Sequence, residues 1–144
     1  MARISIVFFI FSLVSFSFKS LSYKQTNNSP TTFRVPDSIR HMMQWRVREM
    51  RKIRQWIIKH PDSTLPFNPT LFYFSSGVPS DSEFITPTFF VLDTVFHKEY
   101  VKLFQNPSID QFNTVINVCE SCHSMWCPGP LRLIKKFYIT LQRD

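Results

Sequence analysis

Small residues and enzyme signatures are both scarce in this chain of 144 residues. It has two glycines and a single alanine, Ala2, so its core must be built from large side chains. The sequence contains no glycine-rich phosphate loop, no Gly-x-Ser-x-Gly nucleophile turn and no His-Glu-x-x-His zinc motif. These absences remove the usual sequence grounds for assigning an enzyme, and we predict no catalytic residue, cofactor or metal.

The first 22 residues differ in composition from the rest of the chain. Arg3 precedes an uncharged apolar run over residues 4–18, and Ser20 and Ser22 provide the small residues typical of a cleavage site. The run is shorter than the ~20 residues that a membrane span requires. We therefore predict a signal peptide over residues 1–22 and a secreted, extracellular protein. An uncut membrane anchor in the secretory pathway is the alternative.

The remainder reads as one short flexible segment followed by one domain. Residues 23–36 are polar and bounded by proline, which predicts a flexible N-terminal segment. Residues 37–144 have a length that suits a single domain. Asn27 opens the pattern Asn-Asn-Ser, which is a glycosylation acceptor in a secreted chain.

Apolar residues at steps of three and four predict a mostly helical fold of about four helices with a loop-rich middle. The first helix is capped by Asp37 or Ser38 and stops at His60, before Pro61. Residues 61–86 are rich in proline and glycine and predict a loop, with one short strand at 71–74.

Three further helices follow from start signals. Thr86 before Pro87 predicts the second, and Ser108 with Gln111 forms the capping-box pattern that predicts the third. A last helix is expected from Leu131. Residues 87–105 and 131–142 are also rich in β-branched and aromatic residues, so the alternative is an α+β fold with one long helix on a small antiparallel sheet.

Net positive charge is concentrated in the first predicted helix. Residues 37–60 carry seven basic and two acidic residues, and the rest of the chain after residue 22 has eight of each sign. Such a helix is suited to docking on an acidic protein, a sulfated glycan or an anionic lipid surface. A secreted chain rarely meets nucleic acid, so we exclude that partner. The predicted contact residues are Arg40, Arg46, Arg48, Arg51, Lys52, Arg54 and Lys59.

All three cysteines lie within nine residues, at positions 119, 122 and 127. In a secreted protein they predict a structural disulfide, with Cys127 bonded to Cys119 or Cys122 because Cys127 lies beyond the end of the third helix. The remaining thiol is expected to be buried or to link two chains as a dimer.

The same stretch opens with Cys-x-x-Cys-His, the haem-attachment pattern of c-type cytochromes. With about four helices and this motif in a late one, the chain loosely resembles the cytochrome c-prime bundle. That resemblance implies His123 as an axial ligand and Met42, Met43 or Met50 facing the haem. A zinc site or a redox-active dithiol are two further alternatives. We predict instead a small secreted binding protein that contains a disulfide and docks through its basic helix.

Overall fold

The computed structural model describes residues 37–61 and 63–140, and these ranges contain four α-helices and no strand. Two short 3₁₀ helices, Phe74–Ser76 and Ser82–Phe84, lie in the loop-rich middle. The prediction of a small, mostly helical domain of about four helices is therefore confirmed. The helices are α1 (Ile39–Lys59), α2 (Pro87–Gln105), α3 (Ile109–Trp126) and α4 (Leu131–Lys135).

The three long helices begin where the sequence signals place them. The side-chain oxygen of Ser38 accepts a hydrogen bond from the His41 backbone N–H at 3.3 Å. Thr86 and Ser108 cap α2 and α3 in the same way. Each cap satisfies one of the backbone donors that the first helical turn leaves without a partner. The sequence located these starts correctly because a cap is a local interaction.

The capping box at the start of α3 forms only in part. Ser108 accepts from the Gln111 backbone N–H at 3.1 Å, but the Gln111 side chain does not return to the cap. Its amide instead donates to the carbonyl oxygen and to the carboxylate of Glu99 in α2, at 3.0 Å each. Gln111 thus joins α3 to α2.

The predicted short strand over residues 71–74 is wrong. The backbone N–H groups of Phe74 and Ser75 donate to the carboxylate of Asp93 in α2, at 3.0 and 2.8 Å, and Phe74 starts a 3₁₀ helix. The strand alternatives for residues 87–105 and 131–142 fail as well. The first range is helical, and the second holds the five-residue α4 followed by irregular chain up to residue 140.

The core is built from large apolar side chains, as the shortage of alanine and glycine requires. α2 and α3 are joined by three residues and pack as a helical hairpin. In the described part of the chain, no helix is long and apolar enough to cross a membrane. The buried core comprises Met42, Met50, Ile53, Ile57, Phe72, Phe74, Phe89, Phe96, Tyr100, Leu103, Phe112, Val115, Ile116, Ile134, Phe137 and Ile139.

Hydrogen bonds hold α1 near both of its ends. At its start, the Ile39 N–H donates to the Val78 carbonyl at 3.0 Å, and the Val78 N–H donates to the Asp37 carbonyl at 2.7 Å. Toward its end, Arg54 Nε donates to the Phe137 carbonyl at 3.0 Å. α1 is thus attached to the middle loop at one end and to the segment after α4 at the other.

Candidate binding face and groove

One face of α1 carries five exposed cations, which we call the cationic face. None of the ion pairs between described residues involves any of the five. Glu49 is the one carboxylate within α1, and it is buried. The positive charge of this face is therefore not neutralised by its own helix. The cationic face consists of Arg40, Arg48, Arg51, Lys52 and Lys59.

The other two basic residues predicted to contact a partner have a different position. Arg54 is half-buried and donates to the Phe137 carbonyl. Arg46 is only 4% exposed, forms an ion pair with Glu49 and donates through Nη2 to the Thr70 carbonyl at 3.0 Å. Both therefore hold the fold together, and the structure brings five of the seven predicted contact residues to one exposed surface.

Arg46 lies in a cage of aromatic rings. Its guanidinium carbon lies 3.9 Å from the Tyr100 ring centroid and 4.3 Å from that of Phe72. Burial raises the pKa of the neighbouring Glu49 carboxyl, and the Arg46 charge offsets part of that rise. A buried charge needs such a partner, because the cost of removing it from water is several kcal/mol.

The sequence contains a signal for this buried pair that charge counting misses. Arg46 lies four residues after Met42 and four before Met50, and both methionines are buried. Residues at that spacing share one face of a helix. The helical period therefore places Arg46 on the apolar face of α1, although its residue type suggests the exposed face.

An apolar groove of about 860 Å³ runs alongside the cationic face. Met43, Val47 and Met50 of α1 line one side. Arg40, Arg48 and Arg51 also line the groove, so it opens beside the cations. The apolar residues contributed by the other helices include Phe89, Leu92, Ile116, Val118, Trp126, Leu133 and Ile134.

The three cysteines and His123 also line this groove. Cys119 and Cys122 lie in the last turns of α3, and Cys127 is its C-cap, as the sequence predicted. All three are half-buried free thiols in the structure, so the disulfide stays a prediction. Burial raises the pKa of Cys119 to about 12 and that of Cys122 to about 11. These two thiols are therefore protonated at neutral pH and weak as nucleophiles.

His123 contacts Cys127 at the C-terminal end of α3 through both its side chain and its backbone. Its Nδ1 lies 3.1 Å from the Cys127 carbonyl oxygen, and the Cys127 N–H donates to the His123 carbonyl at the same distance. This contact uses Nδ1 and leaves Nε2 as the ring atom available to a ligand. Within residues 37–61 and 63–140, no three His, Cys, Asp or Glu side chains lie close enough together to hold a metal ion.

Asp93 is the one carboxylate among the described residues that line the groove. It is 4% exposed and accepts the hydrogen bonds from the backbone N–H groups of Phe74 and Ser75. Its charge is thus engaged with the protein itself. The arginines consequently set the sign of the charge at the groove opening.

No family model, curated protein or solved structure matches this chain. The predicted signal peptide at 1–22, the segment 23–36 and the glycosylation acceptor Asn27 lie outside the described residues.

Proposed function

We propose that this protein is a non-catalytic binding protein that docks through the cationic face of α1 on an anionic lipid surface. The observation that supports it is the presence of five exposed cations on one helix whose single carboxylate is buried. A cationic helix beside apolar surface is typical of proteins that bind at the interface of anionic membranes. Apolar surface beside these cations, including Ile58 of α1 at 48% exposure, favours a lipid surface over a sulfated glycan, because a glycan offers no alkyl chains for it to contact.

The test compares two triple variants with the same change in net charge. Arg48→Glu, Arg51→Glu and Lys52→Glu reverse three cations of the cationic face, whereas Lys98→Glu, Arg132→Glu and Lys136→Glu reverse three exposed cations outside α1. We expect the first variant to lose binding to phosphatidylserine-containing vesicles in a sedimentation assay, and the second to keep most of it. Binding of the unmodified protein should weaken as salt rises above ~0.1 M, where exposed charges are screened within ~10 Å.

Two results would contradict this proposal. An equal loss of vesicle binding in both variants would mean that net charge alone matters. Strong retention on heparin combined with no binding to anionic vesicles would assign the cationic face to a sulfated glycan. Circular dichroism of each variant checks that the helices are intact.

A covalently bound haem is a second candidate, favoured by the position of the Cys-x-x-Cys-His motif. Cys119, Cys122 and His123 line the same groove as Met43 and Met50 of α1, whereas Met42 is fully buried. A ligating histidine commonly donates a hydrogen bond from the N–H of its second ring nitrogen to a carbonyl, and Nδ1 of His123 lies beside the Cys127 carbonyl. The zinc and thiol-redox alternatives gain no comparable support from the described residues, given the ligand spacing and the raised thiol pKa values.

An absorbance spectrum tests the haem candidate. Protein produced in a host that attaches haem to cytochromes would show a Soret band that survives denaturation and disappears in the Cys119→Ser, Cys122→Ser variant. A featureless visible spectrum in that host would eliminate this candidate.

A further inference from the structure

The groove has the properties of a ligand site, beyond those of a docking surface. We propose that it binds a single-chain anionic amphiphile, such as a long-chain fatty acid, with the alkyl chain in the groove and the head group against Arg40, Arg48 and Arg51. The proposal rests in part on the proposed function, because these arginines also belong to the cationic face. The second experiment therefore separates ligand binding in the groove from docking through the cationic face.

The size and chemistry of the groove fit an alkyl chain. Its volume of about 860 Å³ falls in the range of ~300–1,000 Å³ typical of small-molecule sites. Isoleucine, methionine, leucine, valine and aromatic side chains form most of its walls. Contact between such walls and water is unfavourable, and an alkyl chain in the groove would remove apolar surface on both partners from water.

The charges beside the groove select a negative head group. Arg46 is neutralised by Glu49, and Asp93 is engaged by two backbone N–H groups. The charge left at the groove is that of Arg40, Arg48 and Arg51, all three of which are exposed. Guanidinium groups bind carboxylate and phosphate through charge-assisted, often bidentate hydrogen bonds. A cationic amphiphile with the same chain would be repelled.

Charge and polarity weigh against two other occupants. A second copy of this domain that docked symmetrically would bring its own cationic face against the first, so like charges would meet. Residues 23–36 of the chain are mostly polar and include two basic residues and no acidic one, so they match neither the apolar walls nor the arginines. An anionic amphiphile satisfies both features.

The first experiment measures head-group selectivity by calorimetry on the purified protein. Laurate and dodecyltrimethylammonium carry alkyl chains of equal length with head groups of opposite charge, and both are used below their micelle concentrations. We expect laurate to bind and the cationic amphiphile to bind about tenfold more weakly or not at all. Replacing Arg40, Arg48 and Arg51 with Gln should weaken laurate binding by about tenfold or more, since hydrogen bonds between charged groups are lost.

The second experiment separates the groove from the docking face. Leu92→Trp fills the groove without changing charge, and Val91→Trp is its control, since the neighbouring Val91 is 60% exposed and does not line the groove. We expect Leu92→Trp to lose laurate binding and to keep vesicle binding. Lys52→Glu with Lys59→Glu should do the reverse, because neither lysine lines the groove. If Leu92→Trp fails to fold, the fluorescence experiment described next still tests whether the alkyl chain lies in the groove.

The third experiment locates the alkyl chain of the bound ligand by fluorescence quenching. Trp126 lines the groove and the other two tryptophans, Trp45 and Trp56, do not. A laurate brominated on its chain should therefore quench Trp126 emission, and Trp126→Phe should remove the quenching while calorimetry shows retained binding.

Several results would overturn the proposal. Equal affinity for the two head groups, laurate binding unchanged in a folded Leu92→Trp variant, or quenching unchanged in Trp126→Phe would each do so. A Soret band in the purified protein would assign the groove to haem. Absence of laurate binding with intact vesicle binding would refute the ligand site and leave the docking proposal standing.

Discussion

The two sides of α1 are packed in different ways. Toward the middle loop and α2, Arg46 is enclosed by the rings of Phe72 and Tyr100 and paired with Glu49. Toward α3 and α4, the helix borders the open groove. On the first side Phe72 and Tyr100 contact the guanidinium directly, whereas on the second side a cavity of about 860 Å³ separates α1 from the residues that face it. One helix can thus bury a charge on one side and leave an apolar site on the other.

The largest expected effect comes from breaking the ion pair on the closed side. Glu49→Gln leaves the Arg46 charge buried without its partner, which typically costs about 3–5 kcal/mol. Urea unfolding measures the loss. The same change in the half-exposed pair of Glu99 with Lys102, 2.7 Å apart, should cost about 1 kcal/mol. Similar losses for both variants would show that the Arg46 cage gains nothing from the buried carboxylate.

Two leucines of α2 allow a direct comparison between the packed core and the groove. Leu103 is fully buried, so Leu103→Ala should cost about 2–5 kcal/mol through lost contacts and a new cavity. Leu92 already borders the groove, and Leu92→Ala should cost about 1 kcal/mol because little new cavity is created. Thermal or urea unfolding of both variants tests the difference. A cost at Leu92 equal to that at Leu103 would mean that the groove is closed in solution.

Two glycines offer a smaller test of close approach. A Cβ atom at Gly77 would clash with Met42 Sδ and lie 3.1 Å from the Ile39 backbone nitrogen. Gly77→Ala should therefore destabilise the protein by about 1–3 kcal/mol. At Gly129 nothing lies within 4 Å of the added atom, so Gly129→Ala is the matched control and should change stability little. Equal effects would argue against the tight contact between the middle loop and α1.

The effect that is smallest near neutral pH is a pH dependence of stability that comes from Cys119 and Cys122. In the folded protein with its cysteines reduced, burial raises the pKa of Cys119 to about 12 and that of Cys122 to about 11, whereas an unfolded thiol ionises with a pKa of ~8.5. The unfolded state then binds fewer protons than the folded state, so stability should fall as pH rises above that value. Alkylation by iodoacetamide at pH 8 should be slower in native protein than in urea. Equal rates would mean that the thiols are not shielded.

Interactions between residues that are near in sequence could be predicted, and interactions between residues far apart in sequence could not. Ser38, Thr86 and Ser108 predicted their helix starts, because a cap bonds to a neighbour three residues away. Arg46 was wrongly predicted to contact a partner although the helical period places it on the apolar face of α1, and no role was predicted for Asp93. Asp93 bonds to residues 74 and 75, and Arg46 bonds to Thr70. Their burial depends on partners that only the folded chain brings near.

The groove itself was not predictable from composition. The Cys-x-x-Cys-His motif marks residues 119–123 and the charge pattern marks α1, but neither pattern indicates that residues of both line one cavity. That arrangement depends on how far α1 stands from α3, which is set by side-chain sizes on both helices. The helical period of a sequence predicts the direction of each side chain, but it does not determine the distance between α1 and α3.

The bond between Arg54 and the Phe137 carbonyl has a consequence for the order of folding. It joins residues 83 positions apart, whereas the α2–α3 hairpin is built from near neighbours in sequence. Closing a longer loop costs more chain entropy, so the hairpin should form first and α1 should dock late. Loss of this bond in Arg54→Met would then speed unfolding and leave the folding rate almost unchanged. Stopped-flow kinetics would detect this change as a shift in the unfolding limb alone.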